Sequence, residues 1–100
     1  MPAYLIVEVE VTDPEKYEGY KPIAAAMTAK YGGKYLARGS DITTLEGDWH
    51  PSRIVVVEFE SVAEARAFYE SADYAPALAI RKASTRSRMI LVDGLPATPS

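Results

Sequence analysis

Twice along this chain an apolar strand pattern runs into a Ser/Thr-x-x-Glu box and then a helical stripe, and that recurrence leaves few folds open. In residues 4–11, Leu5, Val7, Val9 and Val11 fall on one side and Glu8 and Glu10 on the other, the period-two pattern of a strand with one buried face. Thr12-Asp13-Pro14-Glu15 reads as a capping box in which the Thr12 hydroxyl accepts from the Glu15 amide, with Pro14 in the first turn where no N–H is needed. Tyr17, Tyr20, Ala24, Met27 and Tyr31 then recur at steps of three and four, predicting an amphipathic helix that Gly32-Gly33 stops. Pro22 lacks an amide hydrogen and crowds the preceding turn, which predicts a kink or split near Tyr20 and Lys21.

The second half repeats the plan. Residues 34–38 read as a second strand, and a polar loop follows over residues 39–52, with a strand-like piece at 42–45. Residues 53–59 are β-branched and apolar, as in a central strand covered on both faces. Ser61-Val62-Ala63-Glu64 is a second capping box, opening a helix that carries Val62, Ala65, Phe68, Tyr69 and Ala72. A short helix is predicted over residues 73–83 with Pro76 near its start, and a last strand over residues 86–92. Thr12 and Ser61, Glu15 and Glu64, and Tyr20 and Tyr69 share one offset, as a duplicated ancestor or two independent uses of one capping rule would both produce. Two strand-helix-strand units with right-handed crossovers interleave into one antiparallel sheet of order 4-1-3-2 with helices on one face. The expectation is an α+β, βαββαβ domain over residues 1–95 with a flexible tail at 96–100. Tyr4, Ile6, Ile54 and Val56 would lie on the other sheet face, an apolar patch that predicts a homodimer formed sheet to sheet.

Bulk properties narrow the function classes. One hundred residues, 48% hydrophobic and 25% charged, can bury a core and fit one domain. A formal charge of −3 offers no overall attraction to phosphate backbones, so no nucleic-acid partner is expected. The absence of cysteine removes disulfides and thiolate nucleophiles, and a single histidine leaves no metal site expected. No apolar run approaches the ~20 residues that span a bilayer, and the start Met1-Pro2-Ala3-Tyr4 carries no basic region before an apolar stretch. A cytoplasmic location with no membrane partner is the expectation.

Candidate chemistry has to come from topology, because no phosphate-binding glycine loop, nucleophile elbow or histidine-rich spacing is present. The interleaved sheet gathers Arg38, Arg53, Arg86 and Arg88 at one rim, beside the long loop and the start of the first helix, and the second helical region returns there around Tyr74 and Arg81. That rim suits a small anionic ligand. Glu46, Asp48, Trp49 and His50 in the loop add carboxylates, a stacking surface and an imidazole that titrates near neutrality. Each has an ordinary alternative: solvated arginines, an exposed turn histidine, a tryptophan sealing a sheet edge or dimer contact. Tyr17, Tyr20, Tyr31 and Tyr69 lie on apolar stripes and read as core. Glu58, embedded in Val55-Val56-Val57-Glu58-Phe59, reads either as a paired structural glutamate or as an acid or base.

Taken together, Asp13-Pro14 with Tyr17 and Tyr20, Gly32-Gly33 through Arg38-Gly39, Leu45-Glu46-Gly47-Asp48-Trp49, the stretch 53–59, Ser71 with Tyr74, and Arg81 resemble the family called domain of unknown function 1330. The resemblance implies a ferredoxin-like fold in the dimeric α/β-barrel superfamily. That superfamily includes cofactor-free monooxygenases, muconolactone-isomerase-like proteins and haem-degrading enzymes. It carries over Arg38, Gly39, Glu46, Gly47, Trp49, Arg53, Glu58, Tyr74 and Arg81 as motif residues. Haem-degrading members would need an axial histidine and this chain offers only His50 on a loop, so no cofactor is expected. Two functions are compatible with these residues. In one, Arg38 and Arg53 fix a small anionic or carbonyl-bearing metabolite, Glu46, Glu58 or His50 moves a proton, and Tyr74, Trp49 and Arg81 shape the pocket. In the other, the protein is a non-catalytic homodimeric module whose Arg38, Glu46 and Arg53 form an ion-pair network fastening the loop.

Overall fold

The computed structural model describes residues 1–95, so the expected tail at 96–100 lies outside the described residues. Strand β1 (Ala3–Val11) runs through the centre of the sheet, because its alternation gives it a buried face of Ala3, Leu5, Val7 and Val9. Strand β4 (Thr85–Asp93) pairs antiparallel along all of β1, from Val11 opposite Thr85 to Ala3 opposite Asp93. On the other side of β1 lies β3 (Ile54–Phe59), and beyond it β2 (Lys34–Gly39), giving the order β2-β3-β1-β4. This is the expected 4-1-3-2 arrangement.

Helix α1 (Pro14–Lys30) begins one residue later than the capping box predicts: the Asp13 carboxylate, not the Thr12 hydroxyl, caps it by accepting from the Lys16 amide at 3.2 Å. Thr12 instead donates its amide to the Ser84 carbonyl at 2.8 Å, tying the end of β1 to the start of β4. Pro22 does not split the helix, which is continuous through it. Both Pro22 and Glu18, whose carbonyl loses its partner there, are exposed, so water can replace the missing bond. The helix ends at Gly32, whose φ of +78° is open to glycine at little cost. At Gly33 the constraint is steric, since a Cβ there would stand 2.9 Å from the Phe59 ring.

Helix α2 (Val62–Glu70) starts as predicted, with the Ser61 hydroxyl accepting from the Glu64 amide at 3.1 Å. Helix α3 (Ala75–Ser84) follows, and its buried stripe is Ala77, Arg81 and Ser84. Residues 42–45 form no strand: Thr44 donates its hydroxyl to the Trp49 carbonyl, folding the segment back on itself rather than along the sheet.

All three helices cover one face. Phe59, Phe68 and Tyr74 form the densest part of the core, with ring centroids 5.2 Å apart for Phe59–Phe68 and 4.5 Å for Phe68–Tyr74. Each such buried side chain contributes about 1.5–3 kcal/mol through lost water contact. On the opposite face Tyr4, Ile6, Ile54 and Val56 are partly exposed, with Ile90 and Val92 of β4 beside them more so.

Candidate functional site

Between the sheet and α1 lies a cavity of about 540 Å³, and its wall explains which sequence candidates belong together. Arg53 precedes β3, and its carbonyl accepts from the Val9 amide at 2.9 Å, so it lies beside Val9 on one flank. On the other flank Val9 pairs with Ser87 of β4, whose hydroxyl accepts from Arg81 Nη1 of α3. Arg53 and Arg81 therefore bracket Val9 on the helix-covered face, and both line the cavity. Arg38 joins them through a β-bulge: Tyr35 pairs with Val57, but Ala37 with Val56 and Arg38 with Val55, leaving Leu36 as the extra residue. The bulge turns Arg38 to the face of Val55 and Val57, where its guanidinium stacks on Tyr35 at 4.4 Å from the ring centroid.

The electrostatics are one-sided. Lys21, Arg38, Arg53 and Arg81 line the cavity together with aromatic and aliphatic side chains, and among the described residues no carboxylate or imidazole does. Arg81 is only 4% exposed, and among the described residues no carboxylate lies within ion-pairing distance of Arg38, Arg53 or Arg81. The Nε atoms of Arg53 and Arg81 are buried without a hydrogen-bond partner there. A guanidinium keeps its charge at any physiological pH, and burying one without an opposite charge costs several kcal/mol.

Two phenols complete the wall. Tyr20 of α1 and Tyr74 at the start of α3 meet hydroxyl to hydroxyl at 3.0 Å. Burial, and then the neighbouring Tyr74, push the Tyr20 hydroxyl well above the ordinary tyrosine range, against a smaller opposing pull from Arg81.

The remaining candidates lie elsewhere. Glu58 sits between Val57 and Phe59, which face the helices, so alternation places it on the open face, opposite Tyr4 and Lys34. Arg86 and Arg88 stand at the same end of the sheet as Arg53 but on that open face, away from the cavity: Arg88 pairs with Glu8 at 2.6 Å and Arg86 with Glu10 at 3.8 Å. His50 borders a polar depression among the same residues and pairs with Asp48 at 3.4 Å. Trp49 is 56% exposed and donates its indole N–H to Glu8 at 3.4 Å, while Glu46 is exposed on the loop. The ion-pair network of Arg38, Glu46 and Arg53 is not formed; Thr44 and the Trp49–Glu8 contact hold the loop instead.

Sequence reasoning assigned Tyr20 to core packing and gave Tyr35 no role. The signal for Tyr20 was its position one turn from Tyr17 and next to Lys21, on a stripe too polar at its tips for a dry core. Among the described residues no three His, Asp or Glu side chains gather to hold a metal ion.

An antiparallel βαββαβ sheet whose helix-covered face encloses an arginine-lined cavity defines a ferredoxin-like α+β protein with a small-molecule-sized pocket. The chain belongs to the family domain of unknown function 1330, whose model matches residues 2–95. Among solved structures, a protein of unknown function from Rhodopseudomonas palustris is 23% identical, with a TM-score of 0.78 over 95% of this chain and 83% of that one. SnoaB, a cofactor-independent oxygenase from Streptomyces nogalater, is 16% identical with a TM-score of 0.68, covering 99% of this chain and 98% of its own. A dimeric ferredoxin-like protein of unknown function from Jannaschia sp. CCS1 is 13% identical with a TM-score of 0.75 over 94% of this chain and 100% of that one. At these identities the likeness is one of fold. No curated protein matches the chain.

Proposed function

We propose that this protein is a cytoplasmic homodimer of one ferredoxin-like domain that binds a small organic acid in the helix-covered cavity, its carboxylate held by Arg53 and Arg81. The observation that carries this reading is the pair of guanidinium groups, of Arg53 and Arg81, that line one cavity without a carboxylate partner among the described residues. An incoming carboxylate supplies the missing opposite charge, while the aromatic and aliphatic wall takes the apolar body. The open face supports the dimer: Ile90 and Val92 are 58% and 42% exposed beside Tyr4, Ile6 and Val56, an apolar surface that a second sheet would cover.

The cavity offers no carboxylate or imidazole to take a proton, so the reading is one of recognition, with any reaction left to the bound molecule and the tyrosines. The fold likeness to a cofactor-independent oxygenase is compatible with it and adds no residue role.

Calorimetric titration with 4-phenylbutanoate and its uncharged amide tests the proposal. Binding of the acid, at least tenfold weaker binding of the amide, and loss of acid binding in Arg53→Gln are expected. Equal affinities for acid and amide would reject it.

A further inference from the structure

Resting on the acid-binding reading above, we infer that Tyr20 donates a hydrogen bond to a second oxygen of the ligand, on the carbon next to the carboxylate. The cavity thereby selects 2-oxo and 2-hydroxy acids over the plain acid of the same skeleton.

The argument begins with proton counting. Tyr20 and Tyr74 bring two hydroxyl protons to one shared contact of 3.0 Å, and neither phenol has another hydrogen-bond partner among the described residues. One proton serves the pair and one O–H is left over. Tyr74 is 1% exposed and its ring is fixed against Phe68 at 4.5 Å, so its hydroxyl has the pair as its outlet. Both phenols line the cavity, and Tyr20 is the less buried of the two. The arrangement that leaves no donor idle runs from Tyr74 to Tyr20 to the ligand, each bond polarising the next.

Placement supplies the rest. Tyr20 and Arg81 line the same cavity, so the phenol and the guanidinium face one ligand. The raised titration of Tyr20 keeps the proton on its oxygen through the physiological range, which makes it a donor and never an anion competing with the carboxylate. A plain acid leaves the phenol proton facing carbon, whereas an oxygen at the next carbon accepts it.

Titration of the parent and of Tyr20→Phe and Tyr74→Phe with 2-oxo-4-phenylbutanoate and 4-phenylbutanoate tests this. The parent is expected to bind the oxo acid about 3- to 10-fold more tightly. In Tyr20→Phe that preference is lost while affinity for 4-phenylbutanoate changes less than about twofold, and in Tyr74→Phe part of the preference remains because Tyr20 keeps its own proton. Equal affinities in the parent, or a preference that survives Tyr20→Phe, would overturn the inference and leave the carboxylate reading intact. Failure of the parent to bind either acid would overturn both.

Discussion

Arg38 stacks on Tyr35, Cζ to ring centroid 4.4 Å, although the two are three positions apart on one strand. In a regular strand such a spacing points two side chains to opposite faces. The extra residue Leu36 cancels that alternation, so the bulge is what delivers a third guanidinium to the cavity. Lysine would keep the charge and lose the flat stacking surface. Arg38→Lys is therefore expected to weaken 4-phenylbutanoate binding about 3- to 10-fold by calorimetry, while the melting temperature stays within about 2 °C, since Arg38 is exposed.

Gly33 is the tightest backbone approach to the core. A Cβ there would meet Thr28 Cγ2 at 2.7 Å and the Phe59 ring at 2.9 Å, and Phe59 is fully buried. Gly33→Ala is expected to lower unfolding free energy by about 1–3 kcal/mol, read from urea denaturation with an unchanged m-value.

The Lys30–Asp73 pair, 2.6 Å long, joins the end of α1 to the turn before α3. A hydrogen bond and then the charge of Lys30 lower the Asp73 carboxyl below 3.8, and the same contacts raise Lys30 above 10.5. A lowered carboxyl stabilises the fold above its unfolded value and stops doing so as pH falls through the folded one; a raised amine stabilises below its unfolded value until pH climbs through the folded one. Asp73→Asn is expected to melt slightly below the parent at pH 7, with the two curves converging well below pH 3.8. A constant gap across that range would assign the effect to packing instead.

On the open face Ile90 is opposite Ile6, which also pairs with Val56 across β3. A carboxylate there would be buried without a partner in a sheet-to-sheet dimer and harmless in a monomer. Ile90→Glu is expected to halve the mass measured by sedimentation equilibrium while leaving the circular dichroism spectrum unchanged. A parent that already sediments at 10.9 kDa would remove the dimer.

Much of the fold was legible because alternation in β1 and the stripes of α1 and α2 are local signals that tertiary packing then reinforced. Sheet order followed from two strand-helix-strand units and crossover handedness. What sequence could not reveal was set by single contacts. Thr12 and Asp13 are both competent caps, and it is the Asp13 carboxylate that accepts from the first turn, while the Ser84 carbonyl accepts from both of their amides. The strand-like piece at 42–45 has strand-forming residues, but the Thr44 hydroxyl is bonded to the Trp49 carbonyl and the piece joins neither open edge of the sheet. For the site, Arg38, Arg53, Tyr74 and Arg81 were found together, whereas Glu58 was separated from them by the alternation that its apolar neighbours already displayed. Arg86 and Arg88 were drawn to the wrong group because position along a strand is readable, but the face at a rim depends on register, which placed them opposite Glu10 and Glu8. The bulge at Leu36 left no mark in composition, and without it Arg38 would share the open face.

Arg81 occupies the middle of the core-facing stripe of α3, where an apolar side chain would ordinarily sit, and beyond its bond to the Ser87 hydroxyl the proposed anion would supply the opposite charge it lacks. Arg81→Met, followed by thermal unfolding with and without 4-phenylbutanoate, tests this most directly. The account predicts a ligand-free melting temperature equal to or above that of the parent, and loss of the shift that the acid produces. A ligand-free melting temperature many degrees lower, with the acid-induced shift intact, would show that Arg81 serves the fold and would contradict the account.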